Sequence, residues 1–133
     1  MIQNDWNNTC EIYDPAANTW TTFASPTTPN PNSVVWAEIG DAPCAVLPDG
    51  TFLIGSVSDA NVAKLDPSTL SWTAMNQRID VGSGVSLSSD EDSWVLMPDN
   101  TVVGPSCMAA PSPLTWVYRV ATNQWILIDP PST

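Results

Sequence analysis

Residues 45–55 read AVLPDGTFLIG, and residues 95–104 read VLMPDNTVVG. Each is a turn sequence set between two apolar runs. Pro48 presets φ for the second position of a tight turn, Asp49 can bond back to the turn backbone, and Gly50 accepts the left-handed conformation. Asn100 stands where Gly50 stands in the first copy. Asn is the next-best residue for positive φ, so the substitution preserves the turn. Both stretches read as β-hairpins.

A second motif recurs around the first. EIYDPAANTWTTF begins at Glu11, AKLDPSTLSWTAM at Ala63 and VYRVATNQWILI at Val117. Trp20, Trp72 and Trp125 stand 52 and 53 residues apart, and Pro48 and Pro98 stand 50 apart. Two motifs with one period and one order are internal repetition, and a period near 50 belongs to propeller-type β repeats. In each copy a strand ends at the turn, Asn or its equivalent closes it, and Trp opens the return strand. Alternating Trp and Thr suit a half-buried sheet surface. The repeated Trp is expected to pack between neighbouring sheets.

One unit is therefore four short antiparallel strands, a to d. In the middle unit they are expected at 43–47, 51–57, 61–66 and 71–75. In the last unit they fall at 93–97, 101–104, 115–120 and 124–128. Residues 1–26 supply only strands c and d of a first unit, 27–76 a complete one and 77–133 another. No segment shows sustained helical periodicity. The Pro-rich 25–33 stretch links two units and suits neither a helix nor a central strand.

The YDP…NTW and LPDGTFLIG motifs together resemble kelch-repeat β-propellers, especially divergent kelch-type proteins of bacteria and fungi. The resemblance implies an all-β fold of four-stranded blades. The sequence lacks that family's Gly-Gly doublet and keeps single glycines, Gly55 and Gly104. Two strands and two sets of four cannot close a propeller, which takes about four to eight blades. Self-assembly would need a spare a–b hairpin for the orphan c–d pair, and the last unit offers none. The expectation is an incomplete propeller of about two and a half blades, completed by blades from a longer chain or an assembly.

Fourteen acids face three bases, with no histidine, giving a net charge of −11. That disfavours nucleic acid and anionic membrane surfaces, and excludes histidine triads and histidine metal sites. A cation, a basic protein or a neutral glycan is easier to accommodate. No apolar run reaches the ~20 residues that span a bilayer. Cys10, Cys44 and Cys107 form no CxxC pair and read as small buried hydrophobes. Little Lys with much Thr, Asn, Ser and Trp suits an extracellular or cell-surface protein, where Asn7 would be a glycosylation acceptor.

In propellers the d–a and b–c loops share one face, where function usually lies. These loops carry Glu38, Asp41, Asp59, Asp90, Glu91 and Asp92 as candidate ligand-binding residues. SSDEDSW, residues 88–94, is the sharpest cluster. Its carboxylates at Asp90, Glu91 and Asp92 have the chemistry of a Ca²⁺ site without EF-hand spacing. A solvated acidic loop is the leading reading. A glycosidase pair would draw on Glu38, Asp41 or Glu91, but no spacing selects two of them. Galactose-oxidase-like enzymes also use kelch-type propellers, and their copper site needs histidines that this chain lacks. The function expected is a non-catalytic binding scaffold that contacts a protein or glycan through its acidic loops. The alternative is a piece of a larger secreted carbohydrate-active or oxidase-type enzyme with its catalytic residues elsewhere.

Overall fold

A computed structural model describes residues 2–4, 9–26, 36, 39–106 and 114–128. Asn7, Glu38 and Cys107 lie outside them. The described residues form eleven strands and no helix. The first sheet is β1 (Ile2–Asn4), β2 (Thr9–Asp14) and β3 (Thr19–Ala24), in that order. The second is β4 (Cys44–Val46), β5 (Phe52–Gly55), β6 (Val62–Asp66) and β7 (Ser71–Ala74). The third is β8 (Val95–Leu96), β9 (Thr101–Ser106), β10 (Leu114–Arg119) and β11 (Gln124–Ile128). All ladders within them are antiparallel.

Eight of the strands fall where the hairpin and Trp motifs put strands a to d of the two complete units. The first sheet departs from expectation. It has three strands rather than two, because β1 pairs with β2 from Ile2↔Ile12 to Asn4↔Cys10. A three-residue strand is too short to show the two-residue alternation by which strands are read.

The turns repeat at atomic detail. Leu47 N donates to Thr51 O at 2.8 Å and Gly50 N to Leu47 O at 2.9 Å; Met97, Thr101 and Asn100 make the same two bonds at the same lengths. Asp49 and Asp99 each accept from the backbone N–H and the hydroxyl of the following Thr. Gly50 and Asn100 have φ of 82° and 64°. The c–d turns repeat likewise: Asn18, Leu70 and Asn123 have φ of 53°, 53° and 52°. The Tyr13 hydroxyl donates to Asn18 Oδ1 at 2.8 Å, and Tyr118 to Asn123 Oδ1 at 3.0 Å. The middle unit has Leu65 and Leu70 in those two places, which removes the hydrogen bond and leaves an aliphatic residue in left-handed backbone.

The sheets stack through two apolar cores. Cys10 and Phe23 of the first sheet meet Phe52, Ile54, Ala63, Leu65 and Trp72 of the second, together with Trp36 and Ile39. Trp72 stacks on Phe23 at 6.3 Å. On its other face the second sheet places Ala45, Leu47, Leu53 and Val62 against Trp94, Val102, Trp116, Tyr118 and Trp125. Trp72 and Trp125 thus pack between sheets as the repeat implied. Trp20 is 47% exposed on the face of the first sheet that points away from the second. Cys10 is buried but Cys44 is exposed, against the expectation of three buried cysteines. Cys44 and Val46 share the sheet face of Ile54 and Phe52, opposite which they pair, and Val46 is 59% exposed.

Leu70 carries the clearest local conflict. A left-handed L-residue costs about 1–2 kcal/mol, much less for Asn. Leu70→Asn is expected to raise stability by about 1 kcal/mol in urea unfolding, and an unchanged midpoint would show that its side-chain packing outweighs the strain.

Candidate functional site

The antiparallel order brings the segment before β4, the β5–β6 loop and the long β7–β8 connection to one end of the sheets. Backbone bonds tie these pieces together. Arg78 N donates to Ala60 O at 2.8 Å, Ser89 N to Ser56 O at 2.9 Å and Ser56 N to Asn61 O at 2.9 Å. Asn61, fully buried, donates its amide to Asp59 Oδ2 at 2.7 Å and accepts from Gln77 at 3.1 Å. Asp59 also takes the Asn61 N–H at 2.8 Å. Both Asp59 oxygens therefore close the β5–β6 loop.

Asp92 departs furthest from the sequence reading. It is buried, not presented to solvent, and forms an ion pair with Arg78 in which neither side chain is exposed. Arg78 also donates to Ser88 O at 2.8 Å and Ser89 Oγ at 3.3 Å. Its guanidinium sits 4.8 Å from the Trp116 ring centre, within cation–π range. Burial pushes Asp92 above and Arg78 below their ordinary values, and each charge pulls the other back. A carboxylate so engaged is not available to a ligand. The acidic run 90–92 is thereby split: Glu91 is exposed, Asp90 half-buried and Asp92 interior. Among the described residues no group of three His, Cys, Asp or Glu is placed to hold a metal ion.

Asp80 organises the same connection. Its Oδ2 accepts from Gly82 N at 3.1 Å, Ser83 N at 2.5 Å and the Ser83 hydroxyl at 2.6 Å. Its Oδ1 accepts from Leu127 N at 2.8 Å, and Asp80 forms a parallel bridge to Trp125. The loop is thus pinned along the outer edge of β11. These bonds, the Leu127 N–H first, lower the Asp80 carboxyl to about 2.

The outward carboxylates at this end are Asp41 and Glu91, exposed, and half-buried Asp90. Of the six candidates the structure leaves these three facing outward, commits Asp59 and Asp92 to the fold, and does not describe Glu38. The sequence reading passed over Arg78 and gave Asp80 and Trp94 no structural part. A signal for Arg78 existed: it is one of three bases in a chain of fourteen acids.

Removing one member of a buried pair strands the other. Asp92→Ala is expected to cost about 3–5 kcal/mol, while Asp90→Asn stays within about 0.5 kcal/mol; equal losses would contradict the split. Asp80 has a depressed folded value, so its contribution is present above about pH 4, its unfolded value, and is lost as pH falls toward about 2. Asp80→Asn should be less stable than the parent at pH 7, with the gap closing across that window in thermal melts.

No family model matches the chain and no curated protein matches it, so the site is read from its own geometry.

Proposed function

We propose that the chain is part of a kelch-like β-propeller that serves as a non-catalytic, extracellular binding scaffold. Its ligand is a basic protein surface or a glycan, held at the loop end by Asp41, Asp90 and Glu91. The remaining blades come from a longer chain or an assembly. The observation that carries the reading is the contrast within one loop end: three carboxylates face outward on segments whose own polar groups are fixed inward, by the Arg78–Asp92 pair, Asp59 and Asp80. Rigid loops lose little freedom when a partner docks. The buried Arg78–Asp92 pair is neutral as a whole, so the net charge of −11 falls on the rest of the chain. Such a field speeds the approach of a cationic partner.

The test is a binding survey of cationic peptides and neutral oligosaccharides on the immobilised chain, repeated with Asp41→Asn, Asp90→Asn and Glu91→Gln combined. For a cationic probe the affinity should fall about tenfold, mainly in association rate, with a weaker salt dependence. Unchanged affinity for every probe that binds would remove these residues from the reading.

A further inference from the structure

Five described residues other than glycine have left-handed backbone: Asn18, Leu70, Glu91, Asn100 and Asn123. Four of them sit in the hairpin turns that the repeat copies from sheet to sheet, and three of those are Asn, which tolerates this region best. Glu91 is the exception. Its φ is 50°, it belongs to no repeated turn, and Glu has no special tolerance for the region. A residue held there persists only where its surroundings over-determine it. Its neighbours must therefore supply the constraint.

The chain is anchored on either side of Glu91. Before it, Ser89 is tied to the second sheet: its N–H donates to Ser56 O at 2.9 Å, and a Cβ on Gly55 would lie 2.5 Å from its hydroxyl. After it, Trp94 packs against Gly104 of the third sheet. Between these anchors Asp90 and Glu91 form the tip of a turn, closed by a long bond from Asp92 N–H to Ser89 O at 3.4 Å. Arg78 completes the closure from inside. One corner of its guanidinium, Nη1, reaches Ser88 O at 2.8 Å, Ser89 Oγ at 3.3 Å and the Asp92 carboxylate. It therefore holds both legs of the turn at once. The planar group is itself seated on Trp116, 4.8 Å from the ring centre. Without it Ser89 and Trp94 would keep their places, and the span between them would relax, returning Glu91 to negative φ.

We propose that Arg78 and Asp92 are positioning residues: their buried pair locks the 89–92 turn with Glu91 in left-handed backbone, and so sets how the Asp90 and Glu91 carboxylates are presented. For ligands this rests on the scaffold reading; the lock itself does not. The pair is neutral, so exchanging both members for apolar residues leaves the attraction of a cationic partner untouched and removes only the shape of the turn. Attraction governs association, and fit governs dissociation. The two effects are thereby separable.

A double-mutant cycle in urea unfolding tests the lock. It crosses Glu91→Gly with the paired replacement Arg78→Met and Asp92→Leu, which keeps the net charge of −11. Apolar residues often replace a buried pair without loss of stability, and circular dichroism confirms the fold. In the parent, Gly relieves the left-handed cost. In the paired variant Glu91 has left that region, and Gly brings only its flexibility. The two effects of Glu91→Gly on the folding constant should differ about tenfold, the cost of one left-handed residue. Additive effects would overturn the lock. Arg78→Lys is the milder second variant: a point charge cannot serve Ser88, Ser89 and Asp92 as the planar group does, so the same coupling should appear in part. For binding, the immobilised chain is probed with oligolysine. The paired variant should associate at the parental rate and dissociate about tenfold faster, whereas Asp41→Asn, Asp90→Asn and Glu91→Gln combined slow association. An unchanged dissociation rate would overturn the positioning role. A parent that binds no oligolysine would overturn the cationic-ligand reading, while the cycle still decides the lock.

Discussion

The stack depends on one close fit. Trp94 lies between the second and third sheets, and two glycines make room for it. A Cβ on Gly104 would sit 2.5 Å from the Trp94 ring, and one on Gly55 would sit 3.0 Å from the same indole and 2.5 Å from Ser89 Oγ. These separations are far inside normal contact, so neither position admits a side chain without moving the sheet. The indole in turn meets Trp125 at 5.2 Å, and Trp125 meets Tyr118 and Trp116 at 4.9 and 6.4 Å. Buried aromatics of this size dominate the energetics of a core. The interface is set by how near two backbones can come to one ring.

The polar end of the same interface is built on top of that fit. Arg78 lies over Trp116, and its partner Asp92 is two residues before Trp94. A charge pair out of water is costly unless its geometry is good and its other groups are engaged. Here Ser88 and Ser89 engage Arg78 Nη1, and Trp116 covers the guanidinium face. Arg78 Nε and Nη2 and the Asp92 oxygens have no hydrogen-bond partner beyond the ion pair, so the pair carries a desolvation cost that the aromatic packing around it must offset. Asp80 then ties the connection to the outer edge of β11. That edge would otherwise offer free backbone groups to any passing strand. The long β7–β8 connection is therefore part of the packing between sheets.

Much of this was legible in the sequence, and the reasons differ by residue. The turns could be read because φ > 0 admits few residue types, so Gly50, Asn100, Asn18 and Asn123 declare themselves. The paired Trp positions could be read because they recur. The all-β class and the antiparallel four-stranded sheets followed from those two facts. Asp92 was misread because a carboxylate in an acidic run looks the same whether it meets solvent or an arginine 14 positions away. The glycines show a subtler limit of the sequence. Gly55 and Gly104 look like equivalent repeat positions, but Thr51 and Thr101 align the units so that Gly104 matches Ile54. A one-residue slip in a strand reverses the face. The slip turns both glycines into the same interface, on opposite sides of Trp94, and only the packing reveals why. Leu70 shows the reverse case, where a propensity rule is broken and tertiary context overrides it.

The scarcity of bases has a consequence for how the chain meets proteases. An enzyme that cuts after Lys or Arg finds three bonds in this sequence, after Lys64, Arg78 and Arg119. Lys64 is inside β6 and Arg119 ends β10, each hydrogen-bonded between two neighbouring strands, and Arg78 has no exposed side chain. Only Arg78 lies in a connection, between β7 and β8, and its side chain is held in the interior rather than offered where nicking usually starts. A trypsin-like enzyme must wait for a sheet to come apart, so its cutting rate follows the opening equilibrium of the fold rather than the local mobility of a loop. The acidic composition that shapes the surface thus leaves the long β7–β8 connection one bond of that kind, after Arg78, whose side chain is locked in the interior.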